Sequence, residues 1–240
     1  MSLHRTLLIL TGAVVLSLSA FADNFEALRL KASRYVEQRE WLNASAMYWL
    51  MLDQRPDDSQ LYADAMISNS LTGDTAAVVT LVHSAMENLV NPDTLFANVR
   101  ARSFALDCPT VYKDLLTRAR NNFPWMTRMV DRNLLDYYDY RNDGPQMVKY
   151  ADRMLQGFPE NITYLRVKAR GSLLCGDDAQ ATRIWKHILD IAPDNYYTLI
   201  DISAYYVAGG NHATAVPYIR RAMDIRSTPY LRSLLDQATK

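Results

Sequence analysis

Arg166 and Arg170 stand four residues apart, so on a helix they share one face and can offer two guanidinium groups to one carboxylate or phosphate. Arg132, upstream in the same half of the chain, could add a third cation, and Tyr140 and Tyr197 could edge such a patch with rings that are large yet partly polar. Seven of the fifteen tyrosines lie in Tyr137-Tyr138-Asp139-Tyr140, Tyr196-Tyr197 and Tyr205-Tyr206. Adjacent side chains on a helix point to different faces, so at most half of each set can be core. The chemistry on offer is recognition. The bland reading of the same residues is that the arginines pair with local acids and the tyrosines pack between helices.

Catalytic and metal chemistry finds little to stand on. Beyond the first 22 residues the histidines are His83, His187 and His212, each without a second His or Cys at ligand spacing. There is no Gly-x-Ser-x-Gly, no phosphate-binding glycine loop and no dinucleotide fingerprint. The expectation is no catalytic residue, no metal and no cofactor. Twenty-six basic residues balance twenty-six acidic ones, which argues against a nucleic-acid partner, since that needs a basic face.

Residues 1–22 read as a signal peptide. Arg5 supplies the positive start, Thr6–Ala20 is uncharged and apolar or small, and Ala20-Phe21-Ala22 offers small residues at the two positions a signal peptidase reads. The run is short for a membrane span, and no cysteine stands where a bacterial lipoprotein would need one. Export to the periplasm or beyond is expected, with cleavage before Asp23 and no stable membrane insertion afterwards. A retained anchor is the alternative.

The elements that must position the arginines are short helices. Strand-like alternation is weak throughout, and the Gly and Pro residues fall where helical hairpins need punctuation. Ile162–Asn195 shows the plan. One helix runs from Thr163 to Leu174, broken at Cys175-Gly176-Asp177. A second runs from Ala179 to Ile191, stopped by Pro193, with Asn195 ready to cap the next helix. Small Ala169 and Ala181 allow the two helices to approach, and Trp185 and Ile188 fill the space facing them.

This pattern resembles the tetratricopeptide repeat (TPR), a 34-residue helix–turn–helix, of the kind found in exported bacterial proteins. The frame extends over units at about 25–58, 59–92, 93–126, 128–161, 162–195 and 196–227. The fourth is the poorest, with Asp131 at a usually apolar place and Arg141-Asn142-Asp143-Gly144-Pro145 making a longer turn. The third turns at Asp107-Cys108-Pro109, with Pro109 as first helical residue. Pro217 should kink its helix. Residues 229–239 form a last amphipathic helix that covers the final repeat. The resemblance implies an all-α, right-handed α-solenoid of about six TPR-like hairpins (residues 23–240) with a C-terminal capping helix. Cys108 and Cys175 then sit two repeats apart, about 20 Å at the usual helix spacing, too far for a disulfide. Two free thiols are expected.

In such proteins first helices line the concave side. That carries Thr163, Arg166, Arg170, Leu173 and Leu174 of the fifth unit into the groove. The sixth contributes Tyr197, Ile200, Ala204, Val207 and Ala208, and the fourth Met129, Arg132, Asp136, Asp139 and Tyr140. The candidate partner-binding residues are Arg132, Tyr140, Arg166, Arg170, Tyr197 and Ile200. The groove asparagines of the carboxylate clamp are missing. The implied function is a non-enzymatic scaffold or assembly adaptor of the cell envelope that binds another protein or a peptide, with homo-oligomers possible. The alternatives are a glycan-binding or helical-repeat enzyme, with Arg132, Asp136, Asp139 and Tyr140 around one cavity, and a self-associating structural protein.

Overall fold

The structure, a computed structural model, describes residues 24–239, and the signal segment expected at residues 1–22 lies outside them. Regular structure among the described residues is helical. A first helix, α1, covers residues 24–37. It is followed by α2 (Trp41–Leu52), α3 (Ser59–Thr72), α4 (Thr75–Glu87), α5 (Pro92–Ala105), α6 (Pro109–Asn122) and a 3-10 turn at Pro124–Met126. Then come α7 (Thr127–Arg141), α8 (Gly144–Gly157), α9 (Ile162–Leu174), α10 (Asp178–Ile191), α11 (Tyr196–Ala208), α12 (His212–Ile225) and α13 (Pro229–Ala238). The chain forms two compact units, the first ending at Val130 and the second starting at Asp131. Its fold class is the α-solenoid of helical hairpins.

The backbone itself keeps the repeat. Arg39, Gly73, Asp107, Asn142, Gly176 and Gly210 all have positive φ, between 53° and 81°. Their spacing is 34 residues, except for 35 between Asp107 and Asn142. Each closes the first helix of a hairpin by a left-handed residue, which releases the chain into the next helix. Glycine adopts this conformation without a Cβ penalty, whereas Arg39 and Asp107 hold it against one of roughly 1–2 kcal/mol.

Side-chain caps mark the helix starts. Asp58 accepts from the amides of Gln60 and Leu61 at 2.9 and 3.2 Å. Asp74, Asn91, Asp143, Asn161, Asp177 and Asn195 each accept from the amide three residues on. Such a cap stabilises its helix by about 1 kcal/mol. Pro109 opens α6, where its missing N–H costs nothing. The longer turn expected at Arg141–Pro145 is not there: Asp143 caps α8, and Gly144 and Pro145 are its first two residues. Helix α12 continues through Pro217. Both cysteines are free thiols.

Each unit buries its own apolar stripe. In the first, Tyr62, Met66, Ile67, Leu81, Leu95 and Phe96 are at most 1% exposed, and the Tyr62 hydroxyl meets Ser84 Oγ at 3.0 Å while accepting from Asn88 Nδ2. In the second, Leu165, Ala169, Ala181, Trp185, Ile188, Leu199 and Ile202 share a core with Leu231, Leu234 and Ala238 of α13. The last helix thus covers apolar side chains of α11 and α12, against which it packs. Asp131, at a place that usually holds an apolar residue, is 5% exposed and lies 3.4 Å from Arg153 Nη1.

Helices α8 and α9 meet at two glycines. A Cβ on Gly171 would lie 2.9 Å from Met147 Cβ and 3.1 Å from the Gly144 carbonyl oxygen. One on Gly144 would lie 2.7 Å from Leu174 Cβ and 2.9 Å from the Gly171 carbonyl oxygen. Contact this close is available only to residues without a side chain. It fixes how α9, which carries Arg166 and Arg170, sits on α8.

Candidate functional site

Within the second unit, α7, α9 and α11 face a cleft of about 620 Å³, a volume typical of ligand sites. Asp139 comes from α7, and Thr163, Arg166, Val167, Arg170 and Leu173 from α9. Asp201, Ala204 and Tyr205 come from α11, and Trp185 from α10. The lining on α9 follows the helical period, since Thr163, the adjacent Arg166 and Val167, Arg170 and Leu173 recur at steps of three or four residues.

Both arginines are already engaged. Arg166 donates from Nε and Nη2 to a single oxygen, Asp201 Oδ2, at 2.9 and 2.7 Å. Its guanidinium also stands 5.2 Å from the centre of the Tyr197 ring, within cation–π range. Arg170 donates from Nη1 to Asp139 Oδ1 at 2.9 Å and from Nη2 to Asn142 Oδ1. The basic, aromatic-edged patch expected from the sequence is instead balanced locally: two arginines and two aspartates line the cleft.

The rest of the cleft is mainly apolar. Trp185 is 3% exposed and packs its ring 5.5 Å from that of Tyr205, and its Nε1 has no acceptor among the described residues. Tyr205 continues to Tyr206 at 5.3 Å, which stacks on Tyr218 at 6.1 Å. The Tyr205 hydroxyl donates to Asp178 Oδ2 at 3.1 Å. Partial burial, that hydrogen bond and the Asp178 charge push the phenol's pKa up. The paired tyrosines thus divide between packing and edge, as adjacent helical residues must.

Of the six residues singled out by sequence, Arg166 and Arg170 line this cleft, while Arg132, Tyr140, Tyr197 and Ile200 are not among its lining residues. Tyr197, 58% exposed, stands at its edge through Arg166. Ile200 is half-buried against the core of the unit. Arg132 and Tyr140 lie exposed on α7. Asp139 joins the cleft, whereas Arg132, Asp136 and Tyr140 are not gathered around it as an enzyme site would have required. Asp201 and Trp185 were missed. Asp201 sits at a position of the sixth unit that the groove pattern skips, and Trp185 comes from a second helix.

The first unit has its own cleft, of about 400 Å³, which the sequence did not single out. Arg102 Nε donates to Asp64 Oδ1 at 2.8 Å, and Tyr48, Arg55 and Phe25 also line the space. The Arg55 guanidinium lies 3.7 Å from the centre of the Phe25 ring. Burial pushes the Asp64 carboxyl up, against the pull of Arg102 and Gln60. Burial and then the Asp64 charge push Tyr48 up to about 12, against Arg102. Among the described residues, no group of three or more His, Cys, Asp or Glu is placed to hold a metal ion.

The chain matches no protein-family model and no curated protein by sequence. Solved structures are similar in fold. The Cut9–Hcn1 hetero-tetramer of the APC/C aligns with 90% of this chain at 10% identity and a TM-score of 0.52, and the alignment spans 46% of that chain. A tetratricopeptide repeat protein from Parabacteroides merdae aligns with 91% of this chain and all of its own, at 12% identity and TM-score 0.47. The C-terminal part of a TPR repeat-containing protein from Cytophaga hutchinsonii aligns over 82% of this chain and 78% of its own, at 9% identity and TM-score 0.48. The chain thus spans about half of the Cut9–Hcn1 chain it matches, and at these identities the likeness is one of fold.

Proposed function

We propose that this protein is a non-enzymatic scaffold that holds a segment of another protein in the cleft of its second unit. The observation that carries this reading is the cleft itself. It is formed by the faces of successive helices, is large enough for several side chains of a ligand, and mixes an apolar floor with fixed polar groups at its walls. Stacked helical hairpins give such surfaces repeatedly, because each repeat contributes one helix to a shared face. The acids in the cleft argue against an acid–base pair, since Asp139 and Asp201 are each bonded to an arginine.

The setting we propose is the cell envelope, with the partner an envelope protein or peptide. Support comes from residues 1–22, with their basic start, uncharged apolar run and Ala20-Phe21-Ala22. Among the described residues no helix is long and apolar enough to cross a membrane.

The test is site-specific photocrosslinking of the full chain in cells that make it. A photoreactive phenylalanine is placed at Thr163, which lines the cleft, or at Lys186, exposed on α10. A discrete crosslinked partner from position 163, absent from position 186, is the expected result. Equal or absent crosslinking from both would overturn the cleft as the partner site. Fractionation of the same cells tests the location, and a cytoplasmic pool alone would overturn it.

A further inference from the structure

Resting on the reading of this cleft as a protein-binding site, we infer that it recognises a large uncharged apolar side chain, aliphatic or aromatic, on a peptide segment of the partner. The sequence suggests the opposite, a carboxylate or phosphate held by Arg166 and Arg170. The structure removes the basis for that. A ligand anion seeking the Nε–Nη2 edge of Arg166 would have to displace Asp201, and one seeking the Nη1–Nη2 end of Arg170 would have to displace Asp139 and Asn142. Such an exchange replaces one ion pair by another and leaves an aspartate without its partner in a partly enclosed site, which is unfavourable. Nor does any excess positive charge draw an anion in, because the two arginines of the lining are matched by two aspartates.

What the cleft offers without cost is apolar surface. Val167, Leu173, Trp185 and Ala204 line it together with the two ion pairs. An apolar side chain entering there leaves water and displaces water that these groups hold poorly. The ion pairs then act as walls. A carboxylate or a lysine meets charges of both signs there, with no net attraction to offset the loss of its own hydration, so both are disfavoured. Charge balance thus selects for neutrality as well as for size.

Trp185 supplies the reporter. Its indole N–H has no acceptor among the described residues, so its NMR signal is free of a competing hydrogen bond from them and responds to occupancy of the cleft. The chain has four tryptophans, and Trp185→Phe identifies the signal by its loss. The full chain, labelled with ¹⁵N, is titrated with acetyl-Gly-Xaa-Gly-amide peptides in which Xaa is Leu, Phe, Glu or Lys. The expected result is that the Leu and Phe peptides shift the Trp185 signal with dissociation constants roughly tenfold or more below those of the Glu and Lys peptides. Leu173→Asp, at a half-buried lining position, should weaken the Leu and Phe peptides about tenfold with an unchanged circular dichroism spectrum. If that variant fails to fold, Thr163→Asp, at an exposed lining position, serves in its place with the same expectation.

Preferential binding of the Glu peptide would overturn the inference in favour of anion recognition. A Trp185 signal that moves with protein concentration and with no peptide would overturn it in favour of a second copy of the chain. No response to any peptide up to millimolar concentrations would also overturn it. In each of these cases a crosslink from position 163 would still stand for the protein-binding reading, so the two fail separately.

Discussion

Arg166 and Asp201 face each other from α9 and α11, with Nε and Nη2 of the arginine both on Oδ2 of the aspartate, at 2.9 and 2.7 Å. One carboxylate oxygen therefore occupies one of the two guanidinium edges open to a ligand anion. With both side chains about one-third exposed, the pair adds little to stability, of the order of 1 kcal/mol or less. Its larger effect is on selectivity.

Removing the acid should release that effect. Asp201→Asn is expected to raise affinity for the Glu-containing peptide at least about tenfold, with the gain reduced as salt rises. Titration calorimetry at two ionic strengths measures it. An unchanged affinity would show that Asp201 is not what keeps anions from Arg166.

The glycine contact between α8 and α9 makes a stability prediction with an internal control. Gly171→Ala places a methyl 2.9 Å from Met147 Cβ and 3.1 Å from a backbone oxygen, so the helices must separate. The cost of such overpacking, about 1–3 kcal/mol, exceeds the roughly 1 kcal/mol gained in helix propensity. Gly157→Ala, with nothing within 4 Å of the new atom, should be neutral or stabilising. Urea denaturation of both variants beside the wild type distinguishes the two.

The left-handed turns invert the usual rule for glycine substitution. Arg39→Gly is expected to stabilise the protein by roughly 1 kcal/mol, because it relieves a positive φ at an exposed residue. Gly176→Ala, at φ +78° with open space around it, should destabilise by a similar amount. Opposite shifts in the denaturation midpoint are the expected observation, and shifts of one sign would contradict it.

Tyr48 gives a pH dependence in the first unit. Its phenol is pushed from 10.0 to about 12 in the folded protein, so the folded state holds the proton more tightly than the unfolded one. Its contribution is fully present below pH 10.0 and is lost as the pH rises towards about 12. Tyr48→Phe should flatten the loss of stability across that window, seen in denaturant titrations at successive pH values. A wild-type slope unchanged by the substitution would contradict the assignment.

Much of the architecture was legible in the sequence because it rests on local rules. Gly176 and Asn195 announced a turn and a cap, and each does that work. Legibility failed where the rule is tertiary. Gly144-Pro145 looks like loop, yet Asp143 caps it into a helix start, and the need for Gly144 comes from Gly171 on the neighbouring helix. The cleft followed the same division. Arg166 and Arg170 were found through their spacing and the repeat frame. Their partners Asp201 and Asp139 lie 35 and 31 positions away, a separation that helical periodicity within one element cannot register. Nothing in the pattern of Trp185 distinguished a core side chain from one that also floors a cleft.

The backbone contact at Gly144 and Gly171 has a kinetic consequence for whatever enters the cleft. With the two glycines bringing the α8 and α9 backbones this close, little room is left for the helices to shift by rotamer changes, so the wall carrying Arg166, Val167 and Arg170 is largely set before any ligand arrives. Adaptation then falls to the guest. A floppy segment loses its own freedom on seating and so leaves quickly, whereas the same side chain on a stapled or helical peptide is ordered beforehand, and its residence time would lengthen accordingly.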